Sequence, residues 1–338
     1  MASRLTKFGN DLYTGARSFD FVGKRKIWYA IAIVLVAVSI LIPIVKGGFN
    51  FSIEFRGGSQ FLISDVQSTD TSKAQGAVQS VVPNAVSHVS VVGTNAVQVQ
   101  TDQLSEGQTK EVADALAKTY GVSSSEVSST FIGPSWGADV TQQTIQGLIV
   151  FLLLAFIAMA LYFRTWKMSA AAIVSLFHDL IITAGIYALV GFEVSPATMI
   201  GFLTILGYSL YDTVVVFDKI RENTKEELEL TRRTFPEAVN LAVNQTLVRS
   251  INTAVVAVLP VASILFIGAY AFGAATLRDI SLALLIGIIV GTYSTIFLAA
   301  PMYSQFREGE AAIKKHDQKV RSVRPKASVA AVEPVAAE

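Results

Sequence analysis

The chain has 338 residues, of which 52% are hydrophobic and only 16% are charged, and its formal net charge is +1. Several nearly uncharged runs approach the length of about 20 residues that a helix needs to cross a bilayer, so the composition predicts a polytopic membrane protein with modest soluble parts. The sequence has no cysteine and three scattered histidines. We therefore expect no disulfide, no metal site and no other cofactor, and the near-zero charge gives no reason to expect a nucleic-acid partner.

The N-terminal segment 1–26 is basic, and its six Lys and Arg residues predict a cytoplasmic N-terminus by the positive-inside rule. The apolar run that follows predicts transmembrane helix 1 over 27–45, with Trp28 and Tyr29 as interfacial anchors. This run is too long for the core of a signal peptide, and no convincing small-residue cleavage site accompanies it. We therefore expect it to be retained as the first span.

Residues 46–140 differ in pattern from the rest of the chain and predict an extracytoplasmic α+β domain. Segments with alternating apolar and polar residues predict strands, and segments with helical periodicity predict helices. The strands include 49–55, 97–100 and 127–132, and the helices are 72–82 and 105–120. The resulting order of strand, helix, strand, strand, helix, strand is typical of a small ferredoxin-like domain.

Three local signals mark the ends of elements in this domain. Ser105 is expected to be the N-cap of the second helix. Gly93-Thr94-Asn95 lies between two patterned segments and predicts a hairpin. The segment 133–137, which is rich in Gly and Pro, indicates a hinge between this domain and the next span.

Five further apolar runs within 141–305 predict transmembrane helices 2–6. They lie at 143–163, 168–190, 196–217, 249–270 and 279–302. The charged segment 218–248 is predicted to be a helical cytoplasmic linker, with Pro236 in a first helical turn. The segment 306–338 is basic at first and then rich in Ala, Val and Pro, and it predicts a disordered cytoplasmic tail. With this topology 21 of the 27 Lys and Arg residues are cytoplasmic, so both termini are predicted to lie in the cytoplasm.

Asp212 lies inside the fourth apolar run, where a carboxylate costs roughly 2.5–3.5 kcal/mol on insertion scales. Such a residue usually faces the protein interior or a water-filled path and has a polar partner. Helical spacing places Thr204, Tyr208 and Asp212 on one stripe, with Gly201 and Ser209 close beside it. We expect this stripe to face other helices rather than lipid.

Arg249 begins the fifth run at a depth that suits a pair with Asp212, and Asn252 and Thr253 share its helical face. A guanidinium is always charged and its forked donors suit a carboxylate. The functional hypothesis is a proton-responsive pair, in which protonation of Asp212 frees Arg249 and shifts helix packing. The alternative is a static ion pair or an arginine that reaches the interface.

Two further polar features lie in the predicted spans. His178-Asp179, near the middle of the third span, is either a second relay element for protons or a hydrogen-bonded packing unit. Gly287, Gly291 and Thr295 recur every four residues in the sixth span, which predicts close helix packing against a partner subunit. Thr292 and Ser294 leave open a path lined by hydroxyl groups.

Outside the spans, a short motif follows the first predicted strand of the outer domain. It comprises Glu54, Arg56, Gly57 and Gly58. The two glycines permit a tight turn or a close backbone approach. Without further support, the motif is weak evidence for any function.

The segment 207–223 closely resembles the signature of the SecF family of bacterial protein-export subunits. Supporting matches are 53–58, His178-Asp179 and 249–253, and with six spans and one outer domain the resemblance covers about residues 20–305. Within the matched motifs this chain has Glu54, Tyr211 and Lys219 where the family usually has Asp, Asn and Arg.

The resemblance implies half of a transporter fold like that of the resistance-nodulation-division superfamily, in the bacterial plasma membrane. It implies pairing with SecD beside the SecYEG channel, with YajC and YidC as further partners, and use of the proton-motive force to complete translocation of preproteins. It also implies that Asp212 and Arg249 are the functional pair. Membrane lipid is the remaining expected partner. The sequence has no Gly-x-x-x-x-Gly-Lys-Ser/Thr loop, so we expect a translocation subunit without ATPase activity.

Two other functions fit the same features. One is half of a small-molecule or lipid exporter of the same superfamily, and the other is a passive scaffold of the translocon. A second membrane subunit that co-purifies together with the channel would favour protein export over the exporter. Dependence on the proton gradient would exclude the scaffold.

Overall fold

The structure is a computed structural model, which describes residues 4–230, 232–271 and 274–323. Its helices are α1 Arg4–Thr14, α2 Arg25–Lys46, α3 Ile53–Arg56, α4 Thr71–Val81, α5 Glu106–Tyr120, α6 Pro134–Phe163, α7 Trp166–Val190, α8 Pro196–Leu230, α9 Phe235–Ser263, α10 Ala275–Ser294, α11 Ala300–Glu308 and α12 Ala311–Val323. Its strands are β1 Asn50–Phe51, β2 Gly58–Ile63, β3 Ser87–Val92, β4 Ala96–Thr101, β5 Val127–Ile132 and β6 Glu193–Val194.

Within these residues, six helices are long and apolar enough to cross a membrane, so the prediction of six spans is confirmed. The first four are α2, α6, α7 and α8. Span five is α9 with the π-helical segment Ile264–Ala271, and span six runs from α10 through the π-helical segment Thr295–Ala299 into α11. Each of the six predicted apolar runs lies within one of these spans.

The predicted linker 218–248 consists of extensions of two spans. Helix α8 is 35 residues long and continues beyond the apolar run to Leu230. Helix α9 begins at Phe235, with Pro236 in its first turn as predicted. Thr234 and Glu237 form a capping box there, in which the Thr234 backbone N–H donates to the Glu237 carboxylate at 2.9 Å.

Helices α8 and α10 pack closely in the centre of the chain. Gly287 faces the Ile205 side chain so tightly that an added Cβ would overlap it, and a Cβ at Gly291 would lie 3.0 Å from Ser209. The glycines thus bring two helices of the same chain together through a small-residue seam. The expectation that they pack against a partner subunit is wrong for these two positions.

From β2 onward, the outer domain has the predicted order of strand, helix, strand, strand, helix, strand. Strands β2 to β5 form one antiparallel sheet with spatial order β3-β4-β2-β5, and α4 and α5 contribute to its apolar core. Ser105 caps α5 with a capping box, in which its hydroxyl accepts from the Gln108 backbone N–H at 3.3 Å. The hairpin at 93–95 joins β3 to β4 as expected.

The prediction of a strand over 49–55 is wrong for most of that segment. Only Asn50–Phe51 is extended, and it pairs in parallel with β6 in the loop between α7 and α8. The chain then turns into the short helix α3, so the first strand of the domain sheet is β2. Alternation over a few residues does not distinguish a strand from one turn of helix.

The segment 133–137 is not a hinge in the structure. Gly133 is the N-cap of α6 and Pro134 occupies its first turn, so the helix runs unbroken for 30 residues. Gly137 lies against the backbone of Phe55, and a Cβ there would be 2.6 Å from the Phe55 carbonyl oxygen. Gly137 therefore allows close packing of α3 on α6.

The tail 306–338, predicted to be disordered, is helical as far as Val323. Helix α12 buries Ile313, His316 and Val320, which share one helical face. The sequence prediction missed this helix, because its few apolar residues are separated by many charged ones. Residues 324–338, the rest of the predicted disordered tail, lie outside the described residues.

Candidate functional site: a polar cluster between the membrane helices

Asp212 is buried, with only 4% of its surface exposed, on the face of α8 that packs against other helices. The Ser250 hydroxyl of α9 donates to Asp212 Oδ1 at 3.0 Å. The other carboxylate oxygen, Oδ2, forms no hydrogen bond with any described residue. Asp212 is therefore a buried carboxylate held by one hydroxyl and left with a free acceptor.

The predicted ion pair between Asp212 and Arg249 is not formed in this structure. No contact within 4 Å joins the Arg249 guanidinium to a carboxylate of the described residues, and its side chain is exposed on the outside of α9. Neighbouring residues on a helix point about 100° apart. Ser250 therefore makes the contact with Asp212, and Arg249, one position earlier, lies on the neighbouring, exposed face of α9.

Asp179 is the second buried carboxylate of this region. Its Oδ1 lies 3.1 Å from His178 Nδ1, and its Oδ2 accepts a hydrogen bond from the Ser209 hydroxyl at 2.7 Å. Ser209 lies one turn before Asp212 on α8, so both carboxylates line the same helix seam. His178 is also buried, and its Nε2 has no hydrogen-bond partner among the described residues.

Two pairs of buried hydroxyl groups extend the cluster toward span six. Ser175 on α7 donates to Ser294 at 2.9 Å, and Thr213 on α8 lies 2.9 Å from Thr295. Sequence reasoning missed Ser175, Thr213 and Ser250 as contributors. The available signal was spacing, since Ser175 precedes Asp179 by four residues and Thr213 is adjacent to Asp212.

Span six changes geometry beside this cluster, where the π-helical segment Thr295–Ala299 replaces regular α-helix. Pro301 supplies the physical cause, because it has no backbone N–H and its ring clashes with the carbonyl four residues earlier. Single-turn π segments inside α-helices frequently lie at functional sites.

The rest of the predicted polar face lies at the edge of the cluster or outside it. Thr204 is exposed and its hydroxyl donates to the Ile200 carbonyl at 2.7 Å. Tyr208 is half-buried, and no described residue lies within hydrogen-bond distance and geometry of its hydroxyl. Asn252 is exposed, and Thr253 bonds within α9 to the Arg249 carbonyl at 2.9 Å.

Tyr211, one of the departures from the family pattern, is 57% exposed. It points away from the face that carries Asp212. The hydrogen bond of Asp212 comes from Ser250 and does not involve Tyr211.

The outer-domain motif forms the joint between the domain and the membrane helices. Glu54 and Arg56 lie in α3, and Gly57 and Gly58 have φ values of 77° and 137°, which side-chain-bearing residues rarely adopt. A Cβ at Gly57 would lie 3.0 Å from the Cα of Pro134. The glycines are thus required by close backbone approach, and any further role of the motif stays a prediction.

The family comparison matches this architecture. A family model described as protein export membrane protein SecD/SecF, C-terminal, matches residues 111–309. The chain belongs to the SecD/SecF protein-export family. It is a multi-pass membrane protein and a translocase subunit of the SecF type, as the resemblance in its sequence predicts.

Individual relatives agree with this assignment. Protein translocase subunit SecF of Streptomyces coelicolor is 42% identical over 325 residues, which are 95% of this chain and 86% of that protein. SecF of Mycobacterium tuberculosis strain H37Rv is 39% identical, over 96% of this chain and 75% of that protein. The crystal structure of the translocon-associated membrane protein SecDF from Thermus thermophilus superposes with a TM-score of 0.72 at 29% identity. The superposition covers 86% of this chain but only 39% of the SecDF chain.

Proposed function

We propose that this chain is the SecF subunit of a SecDF complex and uses the proton-motive force to promote preprotein translocation through the SecYEG channel. The observation that carries this proposal is the environment of Asp212, a buried carboxylate in a span whose only hydrogen bond from a described residue comes from Ser250. The free Oδ2 can accept a proton. Ionisable residues inside membrane spans commonly mark proton or ion pathways.

Protonation of Asp212 is proposed to change how α8 packs on α9. The carboxylate accepts a hydrogen bond from Ser250, whereas a protonated acid also carries a donor that needs an acceptor of its own. Two packing arrangements of the same helices can thus be favoured by two protonation states. One charge that crosses 100 mV supplies about 2.3 kcal/mol, so no ATP is required and we propose no enzymatic activity.

The exposed position of Arg249 supports SecD as the partner. A charged side chain at membrane depth usually pairs with another group or faces an interior, and the described part of this chain supplies no carboxylate within ion-pair distance of Arg249. In the apolar 18-residue windows of spans one, two and five, only 11%, 11% and 6% of the residues are buried within the chain. We propose that SecD covers this side and provides the anion.

The remaining features of the complex are proposed from the family. The N-terminus and C-terminus are cytoplasmic, the outer domain faces away from the cytoplasm, and YajC, YidC and translocating preproteins are further partners. No observation in the described part of this structure favours the exporter or the scaffold over protein export.

The test is export into membrane vesicles, with and without a proton gradient and at matched protein levels. We expect Asp212→Asn to insert and assemble with SecD but to lose the stimulation of export by the gradient, because it keeps the shape and cannot be ionised. Asp218→Asn is the matched control, since Asp218 lies on the same helix and bonds Tyr162 at 2.9 Å outside the cluster. Should Asp212→Asn respond to the gradient as the wild type does, the proposal is wrong.

A further inference from the structure

An open cavity of about 430 Å³ lies at the end of the membrane helices opposite to the outer domain. It is bounded by the end of α6, the start of α7, α8 and the end of span six. Its apolar part includes Phe163, Met168 and Tyr303, which are all buried. In the proposed topology this is the cytoplasmic membrane boundary.

The rim of the cavity is strongly basic. Four cations, Arg164, Arg221, Lys225 and Arg307, line it together with a single carboxylate, Glu310. Glu310 is already neutralised, since it lies 2.8 Å from Arg307 Nη2 and 2.9 Å from Lys167 Nζ. The hydrogen bonds from Arg307 lower the pKa of Glu310 to about 2, so this ion pair persists at every physiological pH.

The remaining three cations have no ion pair within 4 Å among the described residues. Of the nearby acids of α8, Glu222, Glu226 and Glu227 pair with Lys219, Arg232 and Arg233. Glu229, one turn after Lys225, is exposed and lies beyond 4 Å of every cation of the described residues. Asp218, one turn before Arg221, accepts a hydrogen bond from Tyr162. The cavity therefore keeps a surplus of positive charge that a bound anion can neutralise.

Aromatic side chains beside the cavity indicate its depth in the membrane. Tyr162 and Trp166 flank it and are 55% and 65% exposed, as expected for residues at the membrane–water interface. Arg164 lies between them in a left-handed conformation, with φ 53°. The N-cap of α7, Thr165, also lines the cavity and makes no side-chain capping bond, so backbone N–H donors of that helix start are available there.

We propose that this cavity binds the phosphate group of an anionic phospholipid. A basic rim above an apolar floor at the interface matches a headgroup phosphate joined to acyl chains, and basic pockets between membrane helices on the cytoplasmic side are the places where such headgroups bind. A free phosphate would use the rim but not the floor. The combination of a basic rim and an apolar floor therefore favours a phospholipid over a free phosphate.

The experiment uses the full-length chain purified in a neutral detergent and titrated with dioleoyl phosphatidylglycerol, with bound lipid counted by native mass spectrometry. Each Lys or Arg near a membrane surface contributes about 1 kcal/mol to the attraction of anionic lipid. We therefore expect the double variant Arg221→Gln with Lys225→Gln to weaken binding about tenfold or more. Arg164→Gln, on a different segment, should weaken it in the same direction and serves if the double variant is unstable.

The control is Lys314→Gln with Lys315→Gln, which removes the same charge from exposed positions on α12. Dioleoyl phosphatidylcholine and inorganic phosphate replace the lipid in parallel titrations. The proposal is supported if the wild type and the α12 control bind phosphatidylglycerol and only the cavity variants lose it. Equal binding of phosphatidylcholine, an equal loss in the α12 control, or binding of inorganic phosphate as tight as that of the lipid would overturn it.

Discussion

The Ser250 hydroxyl is a donor that holds the Asp212 carboxylate in place without neutralising its charge. An arginine in the same position would fix the anion with a full counter-charge. A hydroxyl can also turn and accept from a protonated acid. At the scale of single residues, the contact is therefore suited to both protonation states of Asp212.

We expect Ser250→Ala to reduce the stimulation of export by a proton gradient to a level between those of the wild type and Asp212→Asn. The reason is that the carboxylate stays but loses its only hydrogen bond from a described residue, and a hydrogen bond to a charged group is worth about 1.5–3 kcal/mol. Ser250→Thr keeps the hydroxyl and should restore most of the response.

The control for the two Ser250 variants is Ser263→Ala, which removes an exposed hydroxyl from the same helix. Export by membrane vesicles at several gradients gives the measurement. A response of Ser250→Ala equal to that of the wild type would show that the hydrogen bond has no part in coupling.

The sequence predicts how deep in the membrane a residue of a helix lies. It predicts much less well which side of the helix that residue faces. The depth of Asp212, and the presence of polar residues at the start of span five, follow from counting along apolar runs. Arg249 and Ser250 are both polar and adjacent, so helical periodicity cannot decide which one faces α8. The packing of α8 against α9 decides it, and that depends on the whole bundle.

At the scale of secondary-structure elements, the two-residue strand β6 makes an unexpected connection between the outer domain and the spans. Glu193 of β6 accepts hydrogen bonds from the side-chain amides of Gln98 and Gln100. Both amides also donate to Gln60 Oε1, at 3.2 and 3.0 Å. Strands β2 and β4 thus present a glutamine face to the loop between α7 and α8.

Burial raises the pKa of Glu193 above its ordinary value of 4.5. The hydrogen bond from Gln100 and the charge of Arg278 act in the opposite direction, while the charges of Asp279 and Glu54 raise the pKa further. Because the folded chain binds this proton more tightly than the unfolded chain, the stabilisation by Glu193 is complete below pH 4.5. It is lost as pH rises through the raised pKa.

We therefore expect the wild type to gain stability as pH falls through the raised pKa of Glu193 toward 4.5, and Glu193→Gln to lose that part of the pH dependence. Thermal unfolding of the purified chain, followed at several pH values, gives the measurement. Glu106→Gln changes an exposed acid at the start of α5 and serves as the control. Identical pH profiles for the wild type and Glu193→Gln would contradict this account.

Sequence patterns identify the long elements and miss the contacts between domains. Helices such as α5 and strands such as β5 have their own periodicity and caps, so their positions are predicted within a few residues. The pairing of β1 with β6 joins residues about 140 positions apart, and two residues carry no periodicity to detect. For the same reason, nothing in the sequence indicated that Glu193 would meet the glutamine face.

Across the whole molecule, burial is divided unevenly among the spans. In the apolar 18-residue windows of spans three, four and six, 50%, 50% and 61% of the residues are buried, while spans one, two and five lie at the periphery. The polar cluster lies among the buried spans and reaches span five through Ser250. Arg249, on the outer side of span five, therefore lies where a second membrane subunit can contact the element that also contacts Asp212.

The last prediction concerns that outer side. If SecD supplies the anion for Arg249, Arg249→Ala should weaken co-purification of SecD with this chain and abolish the response of export to the gradient. Arg249→Lys should retain more assembly than Arg249→Ala but lose part of the response, because an ammonium group does not reproduce the fork of the guanidinium. Arg321→Ala removes an exposed arginine from α12 and serves as the control. If Arg249→Ala leaves SecD bound and export coupled, the arginine has no role in assembly or coupling, and this account of the outer side is wrong.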